Sequence, residues 1–271
     1  LIQLYEGNII EKASIQAFKK YSQGKILGYS FAVVYPLNLK IYRTAKESSG
    51  SPCPDLLVTS GTETKKLLSC RGDYKNMKLY PGCSLREFPQ INVSESLESL
   101  ENVADNTILI ALDGTWSCIF FLDWVLLNFK HLKQPYKIIL RGHPSVPVAG
   151  LLSQCVNQLP QNFHISSKKL DADLSRCFCV VYRQSSVGLQ ALMNGIPVIQ
   201  LNIDSPLNGD PIENLHDCKW VVDNMADLNA SLNKIKALNI DEKRTGMIKA
   251  KNYSARYFTP PDHETLTLFL K

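Results

Sequence analysis

Residues 178–201, FCVVYRQSSVGLQALMNGIPVIQL, decide the fold that we expect for this chain. The first apolar residues predict a buried strand, residues 184–186 a turn, and residues 187–193 a short helix. The Asn-Gly dipeptide at 194–195 ends the helix, and residues 196–201 predict the next strand. Strand, helix and strand in this order indicate a parallel sheet, whose ligands bind at the carboxyl ends of its strands.

Two hydroxyl side chains stand at the start of the predicted helix. Ser185 and Ser186 lie where the unpaired N–H groups of the first turn point outward, which is a suitable place for a phosphate. Considered alone, either serine is explained more simply as a helix N-cap. The phosphate hypothesis therefore depends on what the rest of the chain brings to the same place.

The same alternation of strands and helices occurs on both sides of a polar segment, residues 86–105. Before it we predict strands at residues 1–5, 25–34, 55–59 and 77–80, helices at 8–22 and 63–70, and a loop at 45–54. After it we predict strands at 106–111, 136–140, 163–166 and 219–223, helices at 116–133, 148–159 and 225–238, and a mostly helical tail. We therefore expect an α/β fold with two Rossmann-like lobes, residues 1–92 and 106–271, joined by a linker at 93–105.

Composition indicates a globular protein of this size. The chain has 271 residues, 45% of them hydrophobic and 20% charged, which is enough for one large core or two moderate ones. The net charge of +5 is spread without a dense basic run, which suits anionic small molecules or an acidic membrane face rather than nucleic acid. The eight cysteines form no Cys-x-x-Cys pair, so we expect reduced thiols in a reducing compartment.

No signal peptide or membrane span is visible in the sequence. The longest apolar patch, residues 118–129, is too short to cross a bilayer and is interrupted by Asp123 and Asn128. We expect a cytoplasmic protein, and attachment to the inner face of the membrane stays open. The chain opens on Leu1, without Met, in an apolar run typical of a strand interior, which is consistent with an amino-terminal lobe that lacks earlier elements.

Three short motifs follow three predicted strands of the second lobe. They are Asp113-Gly114, His143-Pro144 and Ser185-Ser186. Each is ordinary by itself, since Asp-Gly is usually a turn and a histidine before proline usually packs or lies on the surface. Because the carboxyl ends of parallel strands meet at one edge of a sheet, we expect the three motifs to share a cleft.

The shared chemistry would be transfer of a group from an activated phosphate donor. His143 could donate a hydrogen bond to a leaving phosphate, and Ser185 and Ser186 could hold that phosphate. Asp113 could accept a proton from an acceptor hydroxyl. No Asp-x-Asp pair or His/Asp cluster stands where a divalent metal would bridge a diphosphate, so we expect no metal and no other cofactor.

The order of these motifs resembles that of a known enzyme group. Leu112-Asp113-Gly114, His143-Pro144 and Ser185-Ser186 resemble the acidic-Gly, His-Pro and Ser/Ser-Thr motifs of bacterial sialyltransferases and polysialyltransferases, and are similar to those of capsule and lipopolysaccharide Kdo-transferases. The first half of the chain also resembles these enzymes, namely the second part of their amino-terminal lobe. The segments that carry this resemblance are Tyr5-Glu6-Gly7, Gly28-Tyr29-Ser30 and residues 54–61 and 80–86. One departure is Leu112, where the family often has a second acidic residue.

The resemblance implies a two-lobed GT-B glycosyltransferase. It would move an acidic sugar, Kdo or a relative of sialic acid, from a CMP donor to a surface polysaccharide or lipopolysaccharide, without metal. Asp113 would be the acceptor-side base, while His143, Ser185 and Ser186 would hold the CMP phosphate. The alternatives are a polyol-phosphate transferase with a CDP-glycerol donor and a non-catalytic relative that binds nucleotide or glycan.

Four further residues are candidates for contacts with the donor. Arg141, Arg183 and Gln184 lie on the same predicted edge, and either arginine could instead form a salt bridge elsewhere. Glu213 belongs to the loop at 202–214, which either meets the ribose or sugar hydroxyls or is simply solvated.

Overall fold

The computed structural model describes residues 1–86, 106–155, 158–203, 208–213 and 215–270. It confirms the α/β fold and divides the chain into two compact units. Unit 1 comprises Leu1–Pro89 with Tyr253–Lys271, and unit 2 comprises Gln90–Asn252. The predicted linker at 93–105 lies outside the described residues.

Unit 1 is built on a parallel sheet of four strands in the order β1-β2-β3-β4. The strands are β1 (Ile2–Leu4), β2 (Leu27–Ser30), β3 (Leu56–Thr59) and β4 (Lys78–Pro81), and the helices between them are α1 (Ile9–Tyr21), α2 (Ala45–Gly50) and α3 (Thr62–Arg71). One core includes Tyr5, Ile15 and Leu57, and a second includes Tyr29 and Val58. Apolar side chains thus pack on both faces of the sheet, as is usual for parallel strands.

The prediction of a loop at 45–54 was wrong, because α2 occupies the first half of this segment. Thr44 and Glu47 form a capping box: the Glu47 N–H donates to Thr44 Oγ1 at 3.2 Å, and the Thr44 N–H donates to Glu47 Oε2 at 3.0 Å. These bonds satisfy donors that a helix start leaves open, so they stabilise a helix in a Ser- and Gly-rich segment. The Thr44 N–H bond, followed by a hydrogen bond from Lys12, lowers the pKa of the Glu47 carboxyl.

Unit 2 is built on a parallel sheet of six strands in the order β10-β9-β8-β5-β6-β7. The strands are β5 (Thr107–Ala111), β6 (Lys137–Arg141), β7 (Phe163–Ile165), β8 (Cys179–Tyr182), β9 (Val198–Leu201) and β10 (Lys219–Val222). The helices are α4 (Cys118–Asn128), α5 (Val148–Cys155), α6 (Leu170–Leu174), α7 (Val187–Met193), α8 (Met225–Ala237) and α9 (Ile240–Ala255), the last of which ends in residues of unit 1.

The order of the strands in unit 2 reverses between β5 and β8. The chain runs outward from β5 to β6 and β7, then returns to the other side of β5 with β8 and continues to β9 and β10. Open parallel sheets bind ligands at such a switch point, outside the carboxyl ends of the strands. The loops that follow β5, β6 and β8 carry Asp113, His143 and Ser185, and they are therefore neighbours.

The carboxyl-terminal tail corrects the predicted domain boundary. Sequence analysis assigned residues 253–271 to the second lobe, but they pack in unit 1 together with helix α10 (His263–Thr267). The Glu63 N–H donates to Arg256 O at 2.9 Å, and the Ser84 N–H donates to Thr259 O at 2.7 Å. Tyr257 and Phe258 are buried there. Helical periodicity identified the tail as helix but contains no information on which lobe it joins.

The structure also describes the cysteines, which were expected to be reduced thiols, and the helices, which were expected not to span a membrane. All eight cysteines are free thiols; five are buried, and burial raises the pKa of both Cys118 and Cys218 to about 11. None of the helices within the described ranges combines the length and apolar character needed to span a bilayer.

Gly61 offers a test of the packing of the tail. A Cβ at this position would overlap the backbone of Arg256 and Tyr257, which cannot move aside as a flexible side chain could. We expect Gly61→Ala to lower the free energy of unfolding by about 1–3 kcal/mol, as overpacking does elsewhere. Gly50→Ala is the matched control, since nothing lies within 4 Å of its Cβ position. Urea unfolding followed by circular dichroism measures both, and equal stabilities would contradict the packing of the tail on Gly61.

Candidate functional site

Three of the loops singled out in the sequence come together at the switch point of unit 2. Arg183, after β8, reaches Asp113, after β5, with its Nη2 and Nε atoms at 2.9 and 3.2 Å from Asp113 Oδ2. On the other side, a Cβ at Gly114 would lie 2.8 Å from the imidazole of His143, after β6. The predicted convergence of these loops is therefore present in the structure.

The Asp113 carboxylate is held by four donors and is only 4% exposed. Oδ2 accepts the two bonds from Arg183, while Oδ1 accepts from the Thr115 N–H at 3.0 Å and from the Thr115 hydroxyl. A carboxylate has about four lone-pair positions, and all are used here. Asp113 therefore links two loops in this arrangement, and it can take a proton from a substrate only by exchanging one of these bonds.

The Arg183 guanidinium extends this link to the start of α4. Its Nη1 donates to Ser117 O at 3.2 Å and its Nη2 to Ser117 Oγ at 2.9 Å. The sequence left open whether Arg183 forms a salt bridge elsewhere; its ion pair is with Asp113, in the candidate site itself. Arg141 behaves differently, because it pairs with the buried Asp173 at 2.7 Å and donates to Lys168 O at 2.8 Å, which directs it toward the segment after β7.

His143 is exposed, and its surroundings determine its tautomer. The Ser145 N–H donates to His143 Nδ1 at 3.2 Å, and Ser145 Oγ lies 2.7 Å from the same nitrogen. Since a backbone N–H can only donate, Nδ1 is an acceptor, and the neutral ring carries its proton on Nε2. Nε2 has no hydrogen-bond partner in the described part of the chain, so a proton donor is available to a ligand.

The two serines differ in their environment. Ser185 is buried, and its Oγ accepts from the Val187 N–H at 3.4 Å, a local turn bond made from the residue before the N-cap of α7. Ser186 is partly exposed, is the N-cap residue of α7 and makes no side-chain capping bond. Ser186 is therefore the hydroxyl of the pair that a ligand could reach.

The loop after β9 packs beside the start of α7. Gln184 lies against Gly209, since a Cβ at Gly209 would overlap the Gln184 side-chain oxygen. Glu213 is partly buried. At Gly188, in the first turn of α7, a Cβ would lie 3.0 Å from both Ile212 and Tyr182. Residues 204–207 and 214 of this loop are outside the described ranges.

A buried charge pair fixes this loop, and sequence analysis missed it. Asp210 is fully buried and forms an ion pair with Lys219, while its Oδ1 accepts from Tyr182 Oη at 2.8 Å and from the Ile212 N–H at 3.0 Å. Burial raises the pKa of Asp210, and the Lys219 charge opposes that shift. Asp210 is thus neither solvated nor turned toward a ligand. In the sequence Asp210 stands in the polar stretch NGDPIEN at residues 208–214, and nothing there identifies Lys219 as its partner.

No group of three or more His, Cys, Asp or Glu side chains within the described ranges is arranged to hold a metal ion.

Solved structures share this architecture over nearly the whole chain. The match to TarM has a TM-score of 0.55 at 13% identity, covering 99% of this chain and 53% of TarM. The match to the pneumococcal O-GlcNAc transferase GtfA in complex with UDP and GlcNAc has a TM-score of 0.55 at 10% identity, covering 94% of this chain and 53% of GtfA. Arabidopsis thaliana UGT89C1 complexed with UDP gives a TM-score of 0.54 at 9% identity, covering 96% of this chain and 69% of that one.

The chain has the GT-B glycosyltransferase fold. It spans about half the length of TarM and GtfA, 53% of each. No protein-family model and no curated protein sequence matches it. The likeness to solved structures is one of fold, so the resemblance to CMP-dependent sialyl- and Kdo-transferases stays a prediction.

The ion pair between Asp113 and Arg183 can be tested by a double-mutant cycle. We expect Asp113→Ala or Arg183→Ala alone to destabilise the protein by about 3 kcal/mol, because each leaves a buried charge without its partner. The double variant should cost clearly less than the sum of the two. Urea unfolding measures all three variants.

The exposed pair Lys249 and Asp217, 3.1 Å apart, is the control. Breaking it should cost less than about 1 kcal/mol. If the two cycles give the same coupling energy, the Asp113–Arg183 pair does not hold the loops together.

Proposed function

We propose that this chain belongs to a glycosyltransferase that transfers a sugar from a pyrimidine-nucleotide donor. One observation carries the proposal: the loops that carry His143, Ser186 and the Asp113–Arg183 pair follow the neighbouring strands β6, β8 and β5 at the switch point of the sheet. In such a reaction the bond between the anomeric carbon and a phosphate oxygen breaks, and negative charge develops on the departing nucleotide. Positioned hydrogen-bond donors at that phosphate lower the barrier.

His143 is the group best arranged to meet the departing phosphate. Its Nδ1 is held by Ser145, and its Nε2–H is a donor that has no partner among the described residues. Ser186 would add a hydroxyl, and Ser185 would shape the turn from within. Arg183 would contribute positive charge through a guanidinium whose position Asp113 fixes.

Asp113 is the proposed acceptor-side base. It would need to exchange a bond from Thr115 or Arg183 for the acceptor hydroxyl. If it does not, its contribution is limited to positioning Arg183.

For the donor we propose a CMP-linked acidic sugar, Kdo or a relative of sialic acid, with a surface polysaccharide or lipopolysaccharide as acceptor. The support is the ordered set of motifs at Asp113, His143 and Ser185-Ser186, which resembles that of CMP-dependent enzymes. We further propose that the reaction needs no metal and takes place in the cytoplasm, at the inner face of the membrane.

A UDP-sugar donor is the second candidate. GtfA and UGT89C1 share the fold, and both were solved with UDP. UDP and CMP present the same kind of pyrimidine, ribose and phosphate, so the fold by itself favours neither.

A donor screen distinguishes these functions. The chain is incubated with a surface-polysaccharide acceptor and with CMP-sialic acid, CMP-Kdo, UDP-N-acetylglucosamine or CDP-glycerol; release of nucleotide is followed, with calorimetry for binding. We expect release of CMP from a CMP-sugar. Release from the UDP-sugar alone would assign the second candidate, and release from CDP-glycerol a polyol-phosphate transferase. Nucleotide binding without turnover of any donor would indicate a non-catalytic relative.

Two variants test the site with the active donor. We expect His143→Ala and Ser186→Ala each to lower kcat/KM by about a hundredfold, because each removes a donor to the leaving phosphate. The controls are His164→Ala and Ser153→Ala, which alter exposed residues on β7 and α5. If His143→Ala and Ser186→Ala turn over as fast as these controls, the proposed site is wrong even if the enzyme is a glycosyltransferase.

A further inference from the structure

Helix α4 has an apolar side that the rest of unit 2 does not cover. Its inner side is buried in the core, through Phe121, Leu122 and Val125. On its outer side, Phe120 is 66% exposed and Leu127 is 53% exposed. These two residues are seven apart, about two helical turns, so they lie on the same side of the helix.

Trp116 extends this side toward the candidate site. It is 62% exposed and stands four residues before Phe120, in a turn whose Trp116 O accepts from the Ile119 N–H at 3.2 Å. We call Trp116, Phe120 and Leu127 the outer face of α4. A helix at a protein surface normally has one polar side, and grouped exposed apolar residues mark a surface that binds something.

The charges around the outer face indicate what it binds. Lys130, His131 and Lys133 follow the helix and are all exposed, and neither lysine forms an ion pair in the chain as described. Asp123, partly buried, is the acidic residue between Phe120 and Leu127. The two lysines outnumber this carboxylate, so the rim of the face is cationic.

We propose that the outer face of α4 docks on an anionic phospholipid surface. Exposed tryptophan, phenylalanine and leucine side chains are types that anchor in the interface of a bilayer, and nearby lysines bind its headgroups. Lysines near the surface add attraction to anionic lipids, which a zwitterionic surface does not provide. A second copy of the chain would bury the apolar residues equally well, but its outer face offers only Asp123 as an acidic partner for these lysines.

The outer face of α4 lies close in sequence to the candidate site, which connects membrane docking with the proposed reaction. Trp116 is three residues after Asp113, and Arg183 binds Ser117, the next residue. A membrane that contacts the outer face therefore lies beside the loop of the candidate site. We infer that the acceptor glycan is attached to a lipid, and this part rests on the proposed transferase function.

Binding to vesicles tests the docking without any donor or acceptor. The chain is sedimented with vesicles of phosphatidylcholine alone or mixed with phosphatidylglycerol. We expect binding to the mixed vesicles that weakens at high salt, and at least about tenfold weaker binding to phosphatidylcholine. Absence of binding to the mixed vesicles would overturn the proposal and would leave transfer to a soluble acceptor unaffected.

Paired variants locate the binding surface. We expect Trp116→Ser with Phe120→Ser, and separately Lys130→Glu with Lys133→Glu, to weaken binding by about tenfold or more. The controls remove exposed apolar residues elsewhere in unit 2, Ile165→Ser with Val221→Ser, or reverse two other exposed lysines, Lys168→Glu with Lys169→Glu. Equal losses in test and control variants would overturn the assignment to α4.

Sedimentation velocity without lipid tests whether a second copy of the chain binds the outer face of α4 instead. A dimer that forms in wild type and is lost in the Trp116→Ser, Phe120→Ser variant, together with no vesicle binding, would assign the outer face to a second copy instead. Circular dichroism shows whether each variant is folded.

Discussion

The ion pair between Asp113 and Arg183 is the interaction on which the candidate site depends. The two residues follow β5 and β8, the neighbouring strands between which the chain reverses direction across the sheet. The backbone ladder joins these strands as far as Ala111 and Tyr182, and beyond it the loops diverge toward opposite halves of the sheet. A buried carboxylate that accepts from the side chain of the opposite loop provides that connection.

The same principle applies to the other parts of the site. Asp210 and Lys219, buried together, fix the loop after β9 beside α7, and Ser145 fixes the ring of His143. In each case one polar side chain forms hydrogen bonds or an ion pair that fix the position of another. Among the described residues, His143 Nε2 has no hydrogen-bond partner and Ser186 makes no side-chain capping bond. A site of this kind is organised before a ligand arrives, which reduces the ordering that binding must impose.

Sequence reasoning succeeded where the signal was local. Helix α7 begins and ends where the pattern predicted, because Ser185-Ser186 and Asn194-Gly195 mark its two ends. Helix α2 was missed although its signal, Thr44 with Glu47, is equally local; the Ser, Gly and Pro residues around it outweighed the capping box. The convergence of the three loops followed from the general rule for parallel sheets.

Pairing between distant residues could not be predicted in the same way. Arg183 had several acids within reach of the same edge, and nothing in one sequence selects Asp113, 70 positions away. Asp210 appeared solvated because its partner Lys219 and its neighbour Tyr182 belong to different strands. The unit against which the tail packs could not be predicted either. It depends on which apolar surfaces meet, and the hydrophobic periodicity of the tail contains no information on that.

The return of the tail to unit 1 has a consequence for how the chain is made. All of unit 2 lies between the two segments that build unit 1. On a ribosome, Ser60, Glu63 and Ser84 emerge long before Arg256 and Thr259, the residues that complete their backbone hydrogen bonds. Unit 2 can therefore assemble first, from contiguous chain, whereas unit 1 keeps an open surface until residues 253–271 have been synthesised. During that interval the uncovered surface of unit 1 is open to aggregation, which chaperones prevent.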